Sequence, residues 1–336
     1  MKIVGCQYAP PRLFNSIKNI RTGKDAFTVG EVHMYSLRVL GAQDIAAFRE
    51  FTFPYFRSAL TPAKLSTRMT AVGATLLGDP VGMVVAEAQS DARVAEIQSI
   101  GVAADQRHVG IGTALLRRIE SELVARQCTW AEIAYMSNRP STLGVEALLR
   151  KTGWPAASPR VMICRTDFDL LCQSPWMKDA DFCAPFEVFR WKDLIPQESA
   201  AMKESQARKE WFPEALSPFA KERLIDPVCS LGLRFRGEII GWCIGHQVGE
   251  DTLSCGCLFV KKEFEARGRA ITLLAQAIHA SRNTNRRKFI FGVSFERPAM
   301  IRFVQRRMAP YLSSIETTKG SRKQLIRQSS ALSLQT

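Results

Sequence analysis

Residues 34–39 alternate apolar and polar positions with a period of two, and 70–77, 81–88 and 93–102 follow as apolar-rich stretches of strand length, expected to pair antiparallel. They read as successive β-strands. Gly78-Asp79-Pro80 supplies the hairpin turn between the second and third. Ala42-Gln43-Asp44 opens a helix through Phe51, and Phe51, Phe53, Tyr55 and Phe56 then crowd around Pro54. After Val102 the period lengthens. Leu115, Leu116, Ile119 and Leu123 recur at helical spacing, with Arg117, Arg118, Glu120 and Glu122 on the wet side. A strand at Trp130–Met136, a helix over 141–151 and a strand near 161–165 complete this stretch. Alternation along 95–102 places Ile97, Ser99 and Gly101 on one face, and Glu96, Gln98, Ile100 and Val102 on the other. Gly101 inside a strand signals a bulge or a close backbone approach.

The second half repeats the plan. Phe212-Pro213 echoes Phe53-Pro54, and Gly237-Glu238-Ile239-Ile240-Gly241 echoes Gly78-Asp79-Pro80-Val81-Gly82, both displaced by 159 positions. Arg297-Pro298 echoes Arg139-Pro140 at 158. Several matches at offsets of 158 and 159 indicate a tandem duplication. The expected division is an N-terminal extension (1–33, a hairpin or arm), a first copy (34–166), a linker (167–185), a second copy (186–316), and a flexible, basic, serine-rich tail (317–336).

The junction between strand 95–102 and the helix after it offers specific chemistry. The first N–H groups of a helix lack intrahelical partners, and the macrodipole places about half a positive charge there. Gly110 and Gly112 keep side chains away from that end, and Arg107 adds a full charge. A diphosphate is the natural guest. Arg107-x-x-Gly110-x-Gly112, preceded by Glu-Ile-x-x-Ile-x-Val and followed by an aliphatic helix, resembles the acyl-CoA signature of the GNAT superfamily of N-acyltransferases. The likeness continues through Ser137-Asn138-Arg139-Pro140 to Gly153-Trp154.

That resemblance implies an α+β fold of two tandem GNAT-like domains, each a mixed, mostly antiparallel sheet flanked by helices. It implies acetyl-CoA, or another acyl-CoA, as co-substrate, held by Ile100, Gly101, Val102, Arg107, His108, Val109, Gly110, Ile111, Gly112, Thr113 and Asn138. Glu96, fourteen residues before Gly110, resembles the glutamate that takes the amine proton through water in relatives that acetylate histones. The Val102 N–H, freed by a bulge at Gly101, would stabilise the oxyanion. Many relatives carry a tyrosine four residues before the terminal glycine to protonate the departing thiolate. That place is Leu149 here, and Tyr135 is a weak substitute. In the second copy Glu265 stands for Arg107, Ser254 for Glu96, and Gly268-x-Ala270 for Gly110-x-Gly112, so a degenerate copy without a CoA site is expected.

Composition narrows the setting. No run reaches the ~18 apolar residues that span a bilayer, and Met1 to Cys6 lacks the pattern of a secretory signal. Nine scattered cysteines suit a reducing cytoplasm, and Cys255-x-Cys257 has no second pair to make a metal site. The net charge of +14 points to an acidic protein, nucleic acid or anionic substrate as partner. The acceptor would be an amine on a small molecule or a protein, and an oligomer is compatible with the sequence. Two other readings stay open: a transferase using aminoacyl-tRNA as donor, and a non-catalytic CoA-binding regulatory or assembly protein.

Overall fold

The computed structural model describes residues 3–4, 35–89, 93–178, 181–208, 211–212, 216–265 and 268–325. It divides the chain into two units, one of residues 10–158 and 319–336, the other of residues 1–9 and 159–318. The expected N-terminal hairpin or arm lies outside the described residues, except for strand β1 (Ile3–Val4), which pairs with Cys257 and Leu258 in the second unit.

The first unit is built on strands β2 (Tyr35–Val39), β3 (Met69–Leu76), β4 (Asp79–Ala88), β5 (Val94–Val102) and β6 (Trp130–Met136), hydrogen-bonded in that order. Only β5 and β6 run parallel, as their crossover connection requires. The β3–β4 turn sits one residue earlier than expected, at Leu77 (φ 53°) and Gly78 (φ 95°). Two left-handed residues match the twist of the flanking strands.

Helices α1 (Ile45–Phe48), α2 (Pro54–Ala59) and α3 (Pro62–Thr67) lie between β2 and β3 in sequence. Phe48, Leu60 and Leu65 pack on Met83 and Val85 of β4. Helix α4 (Ile111–Ala125) covers the opposite face: Leu115, Leu116, Ile119 and Leu123 are buried against Val84, Ala95 and Ile97. Helix α5 (Thr142–Lys151) adds Leu149 to that core.

The expected tail is structural as far as residue 325. A strand runs over Ser314–Gln324, and residues 319–324 lie beside β6 as part of the first unit. The strand expected to close the first copy, β7 (Ser158–Asp167), belongs to the second unit and pairs antiparallel with β12 (Lys288–Ser294). The expected linker is likewise packed. Helix α6 (Phe168–Cys172) and the turn Pro175–Met177 bury Phe168, Leu171 and Met177 in the core of the second unit.

In that unit, strands β8 (Phe186–Arg190), β9 (Leu231–Phe235), β10 (Glu238–Gln247) and β11 (Thr252–Val260) continue from β12, which is parallel to β11. Helix α7 (Pro196–Ala207) precedes β9, α8 (Arg269–Ala280) joins β11 to β12, and α9 (Pro298–Phe303) precedes the last strand, β13. The duplication thus extends to the hairpin turns, since Arg236 and Gly237 repeat the left-handed pair at Leu77 and Gly78.

Candidate active site

The register of β4 against β5 corrects the reading of 95–102. Val85 opposes Ser99 and Ala86 opposes Ile97, so Gln98 is the extra residue of a β-bulge. The bulge is not at Gly101. It re-phases the strand: Ile97, Ile100 and Val102 all pack on the α4 side, while Ser99 turns to the face of α1 and α2. There its hydroxyl meets that of Thr52 at 2.6 Å, both side chains buried. Glu96 opposes Glu87 on β4 and so shares that face. Strict alternation would have put Ser99 and Glu96 on opposite faces.

Gly101 answers to the other possibility, close approach. A Cβ there would stand 2.3 Å from the carbonyl oxygen of Phe51. The 49–53 segment is therefore seated directly on β5, roofing the face that carries Glu96.

Strands β5 and β6 form a fork. Their ladder runs from Val94↔Trp130 to Ile97↔Ile133, and β5 then continues to Val102 without register to β6. The amide of Ala103 donates to the carbonyl of Val81 on the β4 side (2.8 Å). Because successive amides alternate along a strand, the Val102 N–H faces the fork. The Arg107 Nε holds the Val102 carbonyl at 3.1 Å, which fixes this corner.

The head of α4 follows at once. Gly110 caps it at φ 100° and His108 is also left-handed (φ 68°), so the turn curls its amides inward. No side chain caps the helix and no acid lies in its first turn. The first intrahelical bond is from Ala114 to Gly110, which leaves the N–H groups of Ile111, Gly112 and Thr113 at the open end. A Cβ on Gly110 would meet nothing within 4 Å, and one on Gly112 only Val102 Cγ2 at 3.8 Å. The space in front of these amides is thus kept clear by glycine rather than filled by neighbours, which suits a diphosphate. Ile111 contributes its amide alone, since its side chain is in the core. His108 and Val109 are exposed beside the loop.

Glu96 accepts from Gln98 Nε2 at 3.3 Å. It is the middle of three glutamates in register across the sheet, Glu87, Glu96 and Glu132, all on the face away from α4. Arg68 lies 3.8 Å from Glu87, and Arg322 lies 3.5 Å from Glu132 while stacking over Trp130. Glu87 and Glu132 are site neighbours that the sequence reading missed, because only strand pairing brings them to Glu96.

Tyr135 lies on the α4–α5 side of β6, and its hydroxyl donates to Glu146 Oε1 at 3.4 Å. Burial, followed by the nearby Glu146 carboxylate, pushes the phenol up to about 12. The Tyr135 hydroxyl thus points to α5 and is committed to Glu146. Leu149 is buried in the core. Asn138 is exposed just beyond β6, ahead of Ser141, the N-cap of α5.

A family model described as "Acetyltransferase (GNAT) family" matches the chain twice, over residues 42–150 and 190–309. The chain belongs to the GNAT acetyltransferase family. Among solved structures it is similar to a tandem GNAT protein from the clavulanic acid biosynthesis pathway, with 15% identity and a TM-score of 0.62 over 87% of this chain and 99% of that one. It is also similar to a GCN5-related N-acetyltransferase from Sphaerobacter thermophilus, with 16% identity and a TM-score of 0.60 over 87% and 96%. At these identities the likeness concerns the fold, two GNAT domains in tandem. No curated protein matches the chain.

The second GNAT domain keeps the frame. A bulge falls between Ile244 and Gly245 against β11, and Gly268 caps α8 at φ 75°. Its surroundings differ. The Arg269 guanidinium donates to the Phe264 carbonyl at 3.3 Å and lies over the Phe186 ring. Opposite α8, the face corresponding to that of Glu96 is filled by Trp191, Phe212, Trp242 and Phe259. Among the described residues no group of three or more His, Cys, Asp or Glu could hold a metal ion, and no helix is long and apolar enough to cross a membrane.

Proposed function

We propose that the first GNAT domain is an acyl-CoA-dependent N-acyltransferase, acetyl-CoA being the donor, that acylates an amine by direct attack. One observation carries the reading: an uncapped helix head behind Gly110, open at both glycine positions, adjoins a fork between parallel strands. The amides of Ile111, Gly112 and Thr113, with Arg107 and His108, would bind the pyrophosphate. Ile100, Gly101, Val109 and Asn138 would flank the pantetheine arm along the fork. Acyl-CoA when bound supplies a thioester carbonyl, and the Val102 N–H would stabilise the negative charge developing on its oxygen.

An alkylammonium near ~10 is no nucleophile at neutral pH, so the amine must first lose a proton. Glu96, on the strand face that Phe51 and Thr52 cover, would take it through water. The thiolate would draw its proton from solvent, since Leu149 provides no hydroxyl and Tyr135 is engaged with Glu146.

Acetyl-CoA binding by calorimetry, compared between the native protein and Arg107→Glu, tests the donor site. Release of free thiol across an amine panel, compared with Glu96→Gln, tests the chemistry. Binding lost in the Arg107 variant and turnover lost in the Glu96 variant are expected. Binding without turnover of any amine, unaffected by Glu96→Gln, would favour a CoA-binding regulatory protein, a reading to which the missing acid at Leu149 lends weight. A requirement for co-purifying tRNA would favour the aminoacyl-tRNA enzyme.

A further inference from the structure

The second edge of β6 and the flanks of α4 and α5 are held by an element the donor signature does not include. Residues 319–325 are polar and basic, yet nearly every side chain has a fixed partner in the first unit. Lys319 Nζ donates to Glu146 Oε1 at 2.8 Å. The Ser321 hydroxyl donates to the Pro155 carbonyl at 2.7 Å. Lys323 Nζ donates to Glu120 Oε2 at 2.6 Å and to the Thr152 carbonyl at 2.8 Å. The amide of Leu325 donates to the Thr129 carbonyl at 2.9 Å, and its side chain packs on the α4 core.

Two of these contacts reach the proposed donor site at one remove. Glu146 also accepts from Tyr135, which lies on the part of β6 beyond its ladder with β5, where the fork opens. The chain Lys319–Glu146–Tyr135 therefore ties the diverging arm of the fork to α5 and the final strand. Glu120 stands on α4, whose head would bind the pyrophosphate, and it accepts from Trp154 Nε1 (2.7 Å) as well as from Lys323. The diverging arm β6 and the helix α4 are thus anchored by one seven-residue segment, whose lysines lie 173 and 203 positions from Glu146 and Glu120. The Lys319 ammonium holds the Glu146 carboxyl below its ordinary range, so this anchor is charged at neutral pH.

We propose that Lys319, acting through Glu146 and Tyr135, is a positioning residue for the donor site, holding β6 away from β5 so that acyl-CoA fits between them. The inference rests on the first domain being the donor-binding one. Simple electrostatics offers a competing account, because removing any lysine weakens the attraction of an anionic ligand. The two accounts diverge at Glu146. Loss of that carboxylate makes the domain more positive, which by charge alone tightens acetyl-CoA; by positioning it weakens it.

The test is acetyl-CoA binding by calorimetry on full-length Lys319→Ala, Glu146→Ala, the double variant and Lys319→Arg, with amide hydrogen exchange of residues 130–138 in the absence of ligand. Each single alanine variant is expected to weaken binding about three- to tenfold and to speed exchange in 134–138, with the double variant no worse than either. Lys319→Arg should restore both. Tighter or unchanged binding in Glu146→Ala, or unaltered exchange in both alanine variants, overturns the proposal. If the native protein binds no acetyl-CoA, the functional reading fails by itself, and the exchange measurement still decides whether Lys319 and Glu146 hold β6.

Discussion

Gly112 separates the demands of folding from those of the proposed donor site. It is the second residue of α4, where its Cβ-less backbone costs the helix about 0.5–1 kcal/mol relative to alanine. Nothing in the folded chain requires glycine there, as an added Cβ would meet only Val102 Cγ2 at 3.8 Å, an ordinary contact. Gly112→Ala should therefore stabilise the protein slightly, raising Tm by about 1–4 °C for a domain of this size. The same methyl group projects into the space in front of the helix-head amides. If a pyrophosphate docks there, it is pushed outward by a methyl radius, and acetyl-CoA affinity should fall by at least about tenfold, the loss of one or two charge-assisted hydrogen bonds. Gly110→Ala is the control with the opposite stability sign. At φ 100° an L-residue is strained by about 1–2 kcal/mol, so that variant should lose both Tm and affinity. Differential scanning fluorimetry and calorimetric titration on the same samples give the two numbers. A Gly112→Ala protein that binds acetyl-CoA within twofold of native would refute the cradle, however active the enzyme proved to be.

Gly101→Ala places a Cβ 2.3 Å from the Phe51 carbonyl oxygen, a backbone atom with no side-chain freedom to yield. A loss of about 1–3 kcal/mol is expected by chemical denaturation, with amide exchange accelerated in 49–59 ahead of the rest of the domain. In the second domain, burial pushes the Asp226 carboxyl up, but the amides of Cys229 and Val228 and the Arg286 guanidinium outweigh it, leaving the carboxyl below its ordinary range. A depressed folded value contributes stability that is present above the unfolded value near ~3.9 and is lost as pH falls through the folded one. Asp226→Asn should therefore lower Tm at pH 7, and its deficit against the native protein should shrink steadily in scans from pH 4 downward.

How far these features could be read in the sequence depended on their range. The helix over Ile111–Ala125 and strand Trp130–Met136 were legible because periodicity and capping glycines act over a few residues. The bulge was not, because a one-residue insertion shows itself only against the partner strand, where Val85 meets Ser99 and Ala86 meets Ile97. The single glycine in view, Gly101, drew the bulge to itself while serving the Phe51 carbonyl instead. Residues 317–325 looked like a solvated tail because Lys319, Ser321 and Lys323 face carboxylates and carbonyls rather than apolar core. Residues 168–177 misled in the other direction: Pro175 and the acidic residues suggested a linker, although Phe168, Leu171 and Met177 are buried.

The two domains share turns, bulge and left-handed helix cap, so the frame alone does not decide whether both bind a donor. What differs is what occupies the same places. Phe259 stands where Gly101 stands, displaced by 158 positions; it is 2% exposed and stacks on Trp242 with ring centroids 4.6 Å apart. One domain thus seats a backbone roof over the strand next to its glutamate, while the other fills that face with rings and has Ser254 in place of the carboxylate. At the helix head, the Arg269 side chain turns back to the Phe264 carbonyl and two aromatic rings, while Glu265 replaces Arg107. An anion docking on α8 would meet the Glu265 carboxylate where the first domain presents the Arg107 guanidinium. Titration with acetyl-CoA should accordingly saturate at one molecule per chain, and Gly268→Ala, strained at φ 75° by about 1–2 kcal/mol, should lower Tm while leaving stoichiometry and affinity unchanged. Two equivalents bound, with one abolished by Gly268→Ala, would mean that an intact frame suffices for the coenzyme and that the side chains around it do not decide occupancy.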